Sequence, residues 1–243
     1  MEVKTMPKKL DIVYILRPDI QTDELRYSLR SVEANLPHRK VWFVCGQPDG
    51  FEPDGRIKHK QTGVTKWEKI RSSMWEVIDT SGVTDDFYLF NDDFFVMKPV
   101  KGKFTNYVNR SLGEYVQHLR EHVHPWLNPY GRTVLKAQQE LIQLGATEYN
   151  FEVHLPMVFN KSIASRTIGT CSSPQMRSIY GNLSECPVID RPDVKVYGLE
   201  EIPRGDVDYL STNDDTFEQG KVGEFIRERF PTPSKWEGGG SGG

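Results

Sequence analysis

The feature that most constrains this chain is a pair of adjacent carboxylates, Asp92 and Asp93, set between two apolar runs. Phe87-Tyr88-Leu89-Phe90 leads into them through Asn91, and Phe94-Phe95-Val96-Met97 follows. The first run is short, aromatic and bounded by polar residues, which predicts a buried strand with the acidic motif at its carboxyl end. Acidic pairs commonly begin a turn, but a solvated turn seldom carries apolar residues on both sides. Neighbouring carboxylates beside a core repel one another unless a cation or a proton offsets them. Hard oxygen ligands of this kind suit Mg or Mn, which keep coordination sites for water and substrate phosphates. Asp92 and Asp93 are therefore the expected metal ligands, and strand ends are where open α/β sheets bind ligands.

The chain around this motif alternates strand and helix patterns. Residues 11–16 read as a buried strand stopping at Arg17-Pro18, and residues 22–33 as a helix carrying Leu25, Leu29 and Val32, started by Thr22 or Asp23. Residues 40–45 are strand-like and end in the turn cluster Gly46-Gln47-Pro48-Asp49-Gly50. A short stretch near residues 57–59 and the polar loop Gln61-Thr62-Gly63-Val64-Thr65 lead to a helix over residues 66–79. Two amphipathic helices are expected over residues 112–122 and 132–144, and short strands over 153–159 and 194–197. This order predicts an α/β fold with a mostly parallel central sheet flanked by helices and a helical insertion on the acceptor side. At 243 residues one domain is expected over 1–237, with the Gly/Ser run 238–243 read as a linker or tag scar.

Bulk properties narrow the function classes. The net charge of −3 gives no overall pull toward polyanions, so a nucleic-acid partner needs a local basic patch. Cys45, Cys171 and Cys186 form neither a CxxC pair nor an even framework, and a reducing, cytoplasmic setting is expected. No stretch approaches the roughly 20 apolar residues of a spanning helix, so no membrane partner is expected. P-loop and dinucleotide fingerprints are absent.

Further candidates surround the acidic motif. If residues 152–154 are extended, Glu152 and His154 share a face, and His154 can complete the metal shell while Glu152 orients the acceptor or takes its proton. A lone histidine is more often a hydrogen-bonded core residue. His118, His122 and His124 form a second group, without the third well-spaced ligand that zinc requires. Arg17, Gln61, Thr62 and Asn91 are placed to contact a nucleotide or its phosphates, and Lys66, Lys69 and Arg71 to neutralise a diphosphate, or else to form a solvated helix face.

The runs Glu24-Leu25-Arg26-Tyr27-Ser28-Leu29-Arg30-Ser31 and Phe90-Asn91-Asp92-Asp93-Phe94-Phe95 resemble the Stealth-type sugar-phosphate transferases and, more closely, related glycosyltransferases encoded by bacteriophages. The likeness continues through Glu152-Val153-His154-Leu155-Pro156, Arg177-Ser178-Ile179-Tyr180-Gly181-Asn182 and Ser211-Thr212-Asn213-Asp214-Asp215. It implies a GT-A-like fold, a nucleotide-diphosphate sugar donor such as a UDP-sugar, and a metal at Asp92 and Asp93 with His154 joining them. Leu16-Arg17-Pro18-Asp19 stands where Stealth proteins carry a Trp-Val-Asp-Gly type segment, which favours glycosyl over sugar-1-phosphate transfer. If the anomeric centre inverts, Glu152 or Asp214 deprotonates the acceptor; if it is retained, that base is unnecessary. For a phage enzyme one expected acceptor is 5-hydroxymethylcytosine in DNA, tracked by Lys98, Lys101, Lys103 and Arg110; a saccharide, a teichoic acid or a protein is the alternative. A non-catalytic nucleotide- or glycan-binding module is the alternative to an enzyme.

Overall fold

The computed structural model describes residues 9–20, 23–101, 106–123, 126–184, 187–203 and 206–238. Its centre is a sheet of β1 (Leu10–Leu16), β2 (His38–Cys45), β3 (Gly55–Ile57), β4 (Asp86–Phe90) and β7 (Met157–Asn160), in the order β3-β2-β1-β4-β7. The first four run parallel, and β7 closes the sheet antiparallel to β4. This is the mostly parallel α/β architecture expected from the alternation.

Both faces of the sheet are covered, which is why its central strands are continuous apolar runs. Ile12, Tyr14 and Leu16 of β1, with Tyr88 and Phe90 of β4, pack into one core with α1 (Asp23–Asn35). Val13, Phe87 and Leu89 face the opposite core, shared with Met74 and Val77 of α2 (Lys66–Asp79). On α1, Leu25, Leu29 and Val32 are fully buried, roughly 1.5–3 kcal/mol each. The α2 boundaries match the expectation because Thr65 and Glu68 form a reciprocal capping box.

A second stripe on α1 is polar and also buried: Glu24, Ser28 and Ser31. It grips β5 (Phe94–Val96), the strand directly after the acidic motif. Tyr14 Oη lies 2.9 Å from Ser28 Oγ, which donates to the Phe94 carbonyl at 2.6 Å. Ser31 Oγ accepts from Val96 N–H at 3.0 Å, and Asn35 Nδ2 donates to the Val96 carbonyl at 2.7 Å. The helix therefore fixes the exit from the acidic loop as firmly as β4 fixes its entry.

The remaining strands are short: β6 (Asn106–Val108) pairs with β8 (Val188–Asp190), and β9 (Tyr209–Ser211) pairs antiparallel with β5. The helical insertion consists of α3 (Leu112–His118), continuing into a π turn at Leu119–Val123, and α4 (Pro129–Gln143), which share a satellite core of Leu112, Val116, Leu119, Val134 and Leu141. Helix α4 starts three residues earlier than expected, because Asn128 caps it by accepting from Gly131 N–H and Pro129 takes the first helical position. Four short helices follow that sequence periodicity does not reveal: α5 (Lys161–Thr167), α6 (Met176–Leu183), α7 (Asp214–Glu218) and α8 (Lys221–Arg229).

Two expected strands are corrected. The strand expected over residues 153–159 forms only in its second half, as β7, which begins after Pro156; before it Asn150 Oδ1 takes Glu152 N–H and Leu155 N–H turns back to the Val153 carbonyl, so Glu152 and His154 are not on a strand. Residues 194–197 form a single bridge at Lys195 to Ser211 rather than a strand. The candidate cap Thr22, and also Lys103, His124 and Cys186, lie outside the described residues.

The C-terminal segment belongs to the fold up to Gly238, one residue past the expected boundary, since Gly238 N–H bonds the Gly50 carbonyl at 2.8 Å. Trp236 is buried and donates Nε1–H to Asp54 at 2.9 Å. Glu237 accepts from Arg30 at 2.7 Å and Arg26 at 2.8 Å. Burial opposes the charge on Glu237, yet Arg30, Ser234 and Arg26 outweigh it and hold its carboxyl at about 2. Because the folded value lies below the unfolded one, this contribution is present above about pH 4.5 and is lost as pH falls toward 2. Urea melts should show Glu237→Gln about 2 kcal/mol less stable at pH 6, with the gap to the parent narrowing to about half or less by pH 3 and vanishing only below about pH 2; a gap independent of pH contradicts the pairing.

Candidate functional site

Chain order places the site. From β1 the chain passes through α1 to β2 on one side, while α2 returns it to β4 on the other, so strand order reverses between β1 and β4. The carboxyl ends of two strands that diverge in this way leave a crevice, the usual ligand position in open α/β sheets. Arg17 follows β1 and Asn91-Asp92-Asp93 follows β4, so both fall at this crevice. Gly46, after β2, permits the close approach there: a Cβ at this position would stand 2.1 Å from the Arg17 carbonyl oxygen.

The crevice opens into a cavity of about 610 Å³. Of the residues expected from sequence, Arg17, Lys66, Asn91, Asp92, Asp93, Glu152, His154 and Asp214 line it. Gln61 and Thr62 do not: they bond to Ser73 and Ser72 on α2 and belong to the packing of that helix. Arg71 is likewise spent, donating to the carbonyls of Cys171, Ser172 and Ser173.

Asp93 is the best-held carboxylate. Its Oδ2 accepts from Lys195 Nζ at 2.9 Å and Ser211 Oγ at 3.1 Å, whereas its Oδ1 is buried with no hydrogen-bond partner among the described residues. Asp92 is pushed up to about 6, by burial first and then by Asp93, against the pull of Arg17. Glu24 enters the same group from α1, accepting from Thr212 Oγ1 at 2.6 Å. Burial raises its carboxyl to about 8 against that hydrogen bond, with Asp93, Asp92 and Asp214 adding to the rise. Four carboxylates thus crowd a site whose nearest cation is Lys195.

Among the described residues no three His, Cys, Asp or Glu side chains converge to hold an ion unaided. This separates His154 from the expected metal shell: its Nδ1 lies 2.8 Å from Asp193 Oδ2. The residues present fit a metal of the Mg or Mn kind, bound by one or two carboxylates and completed by substrate phosphates. The unpartnered Oδ1 of Asp93 is the observation behind that fit.

Arg177 is the largest omission from the sequence reading, where it stood only within a motif. It is buried on α6 and donates to the Leu155 carbonyl at 2.8 Å and to Asn91 Oδ1 at 3.2 Å. Burial pulls its pKa down, and Glu152 and Asp93 oppose that. Glu152 in turn is raised by burial, with Arg177 and the Ser178 N–H at 3.0 Å acting against the rise. Trp67, Tyr130 and Tyr115 form an aromatic wall, with ring centroids 5.3 Å and 6.3 Å apart in sequence.

The other candidates fall elsewhere. His118 and His122 stack at 4.6 Å without metal-ligand company among the described residues. Lys98 is paired with Asp206 and Asp208 at 2.8 and 3.1 Å, so it does not offer a free charge to a phosphate track. No helix among the described residues is long and apolar enough to cross a membrane.

Fold and site together define an α/β protein with an acidic, cation-lined cavity at the switch point of its parallel strands. No family model matches the chain, and no curated protein matches it. Among solved structures it is similar to the glycosyltransferase GlyE of Streptococcus pneumoniae TIGR4, at 10% identity and TM-score 0.29 over 53% of this chain and 42% of that one. The apo form of GlyE gives 9% and 0.31 over 58% and 44%. A 4-diphosphocytidyl-2C-methyl-D-erythritol synthase gives 13% and 0.35 over 76% and 90%. The chain spans less than half the length of the GlyE chains, and likenesses this distant assign neither site nor substrate.

Proposed function

We propose that the chain is a metal-dependent glycosyltransferase of GT-A-like type that moves a sugar from a nucleotide-diphosphate donor to a hydroxyl acceptor. The observation that carries the reading is the buried, unpartnered Oδ1 of Asp93 beside Asp92, at the switch point, in a cavity also lined by Arg17, Lys66 and Lys195. Carboxylates alone would suit a bare cation; carboxylates facing separate basic side chains suit a cation together with an anion. A diphosphate bridging the two satisfies both sides.

Asp92 and Asp93 would hold Mg or Mn, which when bound stabilises the charge growing on the leaving diphosphate. Arg17 and Lys66, which line the same cavity, hold the phosphates, and Lys195, already beside Asp93, stands ready to pair with the same oxygens. Glu152 is the acceptor base: burial raises its proton affinity, and it stands apart from the acidic group that Asp214 joins with Glu24 and Asp92.

The test is a thermal melt of the full chain with Mn and a panel of nucleotide-diphosphate sugars. Metal and donor together should raise Tm by several degrees, as a ligand at about 100 times its Kd contributes about 2.7 kcal/mol. The shift should vanish in Arg17→Ala and persist in Gln61→Ala. No shift with any donor rejects the reading.

A further inference from the structure

A second cavity, of about 410 Å³, adjoins the first. Tyr115, Glu152, Val153 and Tyr197 line both, so the two spaces share a wall to which Glu152 belongs. The volume lies within the range of small-ligand pockets and suits one or two sugar rings. Its chemistry is mixed: the aromatic rings Tyr115 and Tyr197, the amides of Asn109 and Asn150, and the Arg110 guanidinium. Donors and acceptors beside aromatic faces match a ring of hydroxyl groups, each of which both donates and accepts.

Arg110 supplies an independent sign. Its φ is +55°, in the left-handed region that glycine enters freely and arginine does not. The conformation is held by paired backbone bonds, Asn109 N–H to the Asn150 carbonyl and Asn150 N–H to the Arg110 carbonyl, both 3.1 Å. Among the described residues the guanidinium itself is tied loosely, Nε donating to Asn109 Oδ1 at 3.4 Å. The backbone thus fixes a conformation that costs arginine strain, and the side chain it carries lines the cavity.

We propose that this second cavity is the acceptor subsite and that the acceptor is a saccharide; the assignment rests on the glycosyltransferase reading. One saccharide hydroxyl reaches Glu152 across the shared wall. Its oxygen bonds to the anomeric carbon as the bond from that carbon to the diphosphate oxygen breaks. The electron pair leaves on the nucleoside diphosphate, and the hydroxyl proton passes to Glu152.

Saturation-transfer NMR on the full chain, with Mg and UDP present, tests this using the methyl glycosides of glucose, galactose and N-acetylglucosamine. At least one should give a signal, and Arg110→Gly and Asn109→Ala should each reduce it at least fivefold. Neither residue lines the first cavity, so both variants should keep the donor-induced Tm shift, and Arg110→Gly should melt no lower than the parent because glycine accepts the positive φ. An undiminished signal in both variants, or no signal from any glycoside, overturns the assignment. So does donor turnover stimulated by hydroxymethylated duplex DNA and by none of the glycosides. A glycoside signal sensitive to both variants, without any donor-induced shift, instead sinks the donor reading and with it the acceptor role.

Discussion

Asp93→Asn should lower turnover on the order of a thousandfold while the protein stays folded. The magnitude follows from what the carboxylate does in the proposed reaction. A metal at a leaving diphosphate stabilises the growing charge by several kcal/mol, and about 4 kcal/mol corresponds to roughly three powers of ten in rate. Asn keeps the shape of the side chain and can still accept from Ser211, whose Oγ lies 3.1 Å from Oδ2. It removes the charge of a carboxylate that lines the cavity. Stability should change by only about 1 kcal/mol, since the lost ion pair with Lys195 is offset by relief of repulsion among Asp92, Glu24 and Asp214. Nucleoside diphosphate release and free Mn followed by electron paramagnetic resonance give rate and metal binding separately. Parental turnover in the variant would remove Asp93 from the mechanism.

What could be read from the sequence depended on how local the cause was. Strands β1, β2 and β4 are buried on both faces, so each announces itself as an apolar run, and the position of Asp92 and Asp93 at a strand end followed directly. The start of α2 was legible because its cap, Thr65 with Glu68, is written within four residues. The failures share the opposite property. Glu24 reaches Thr212 and Asp93 reaches Lys195 across 188 and 102 positions of chain, and nothing in either neighbourhood foretells the other. Glu24 did leave a trace: with Ser28 and Ser31 it forms a second stripe at helical spacing on α1, polar where a solvated face was the simpler assumption. The segment around Glu152 and His154 carried an alternating pattern, but Pro156 and the Asn150 side chain replace the ladder bonds a strand would need.

Arg177 should prove the most consequential residue that sequence alone leaves unassigned. Its guanidinium joins three segments: α6, on which it sits; the turn before β7, through the Leu155 carbonyl; and the acidic loop, through Asn91. It also lies over the Phe94 ring at 5.4 Å, so its removal disturbs the loop from both ends. Arg177→Met preserves length and apolar stem but leaves the carbonyl, the amide oxygen and the Glu152 carboxylate without their cation. Two hydrogen bonds from a charged donor are lost, each worth about 1.5–3 kcal/mol, and urea melts should place Arg177→Met at the low end of that combined range, about 3 kcal/mol, because Ser178 N–H still serves Glu152. The same substitution made in a Glu152→Gln background should cost about 1–2 kcal/mol less, since a neutral amide no longer needs the charge. Additive losses within about 0.5 kcal/mol would show that the two groups do not sense each other. In that case the guanidinium would serve only the backbone and Asn91, and the pull of Arg177 on the proposed base would have to be withdrawn.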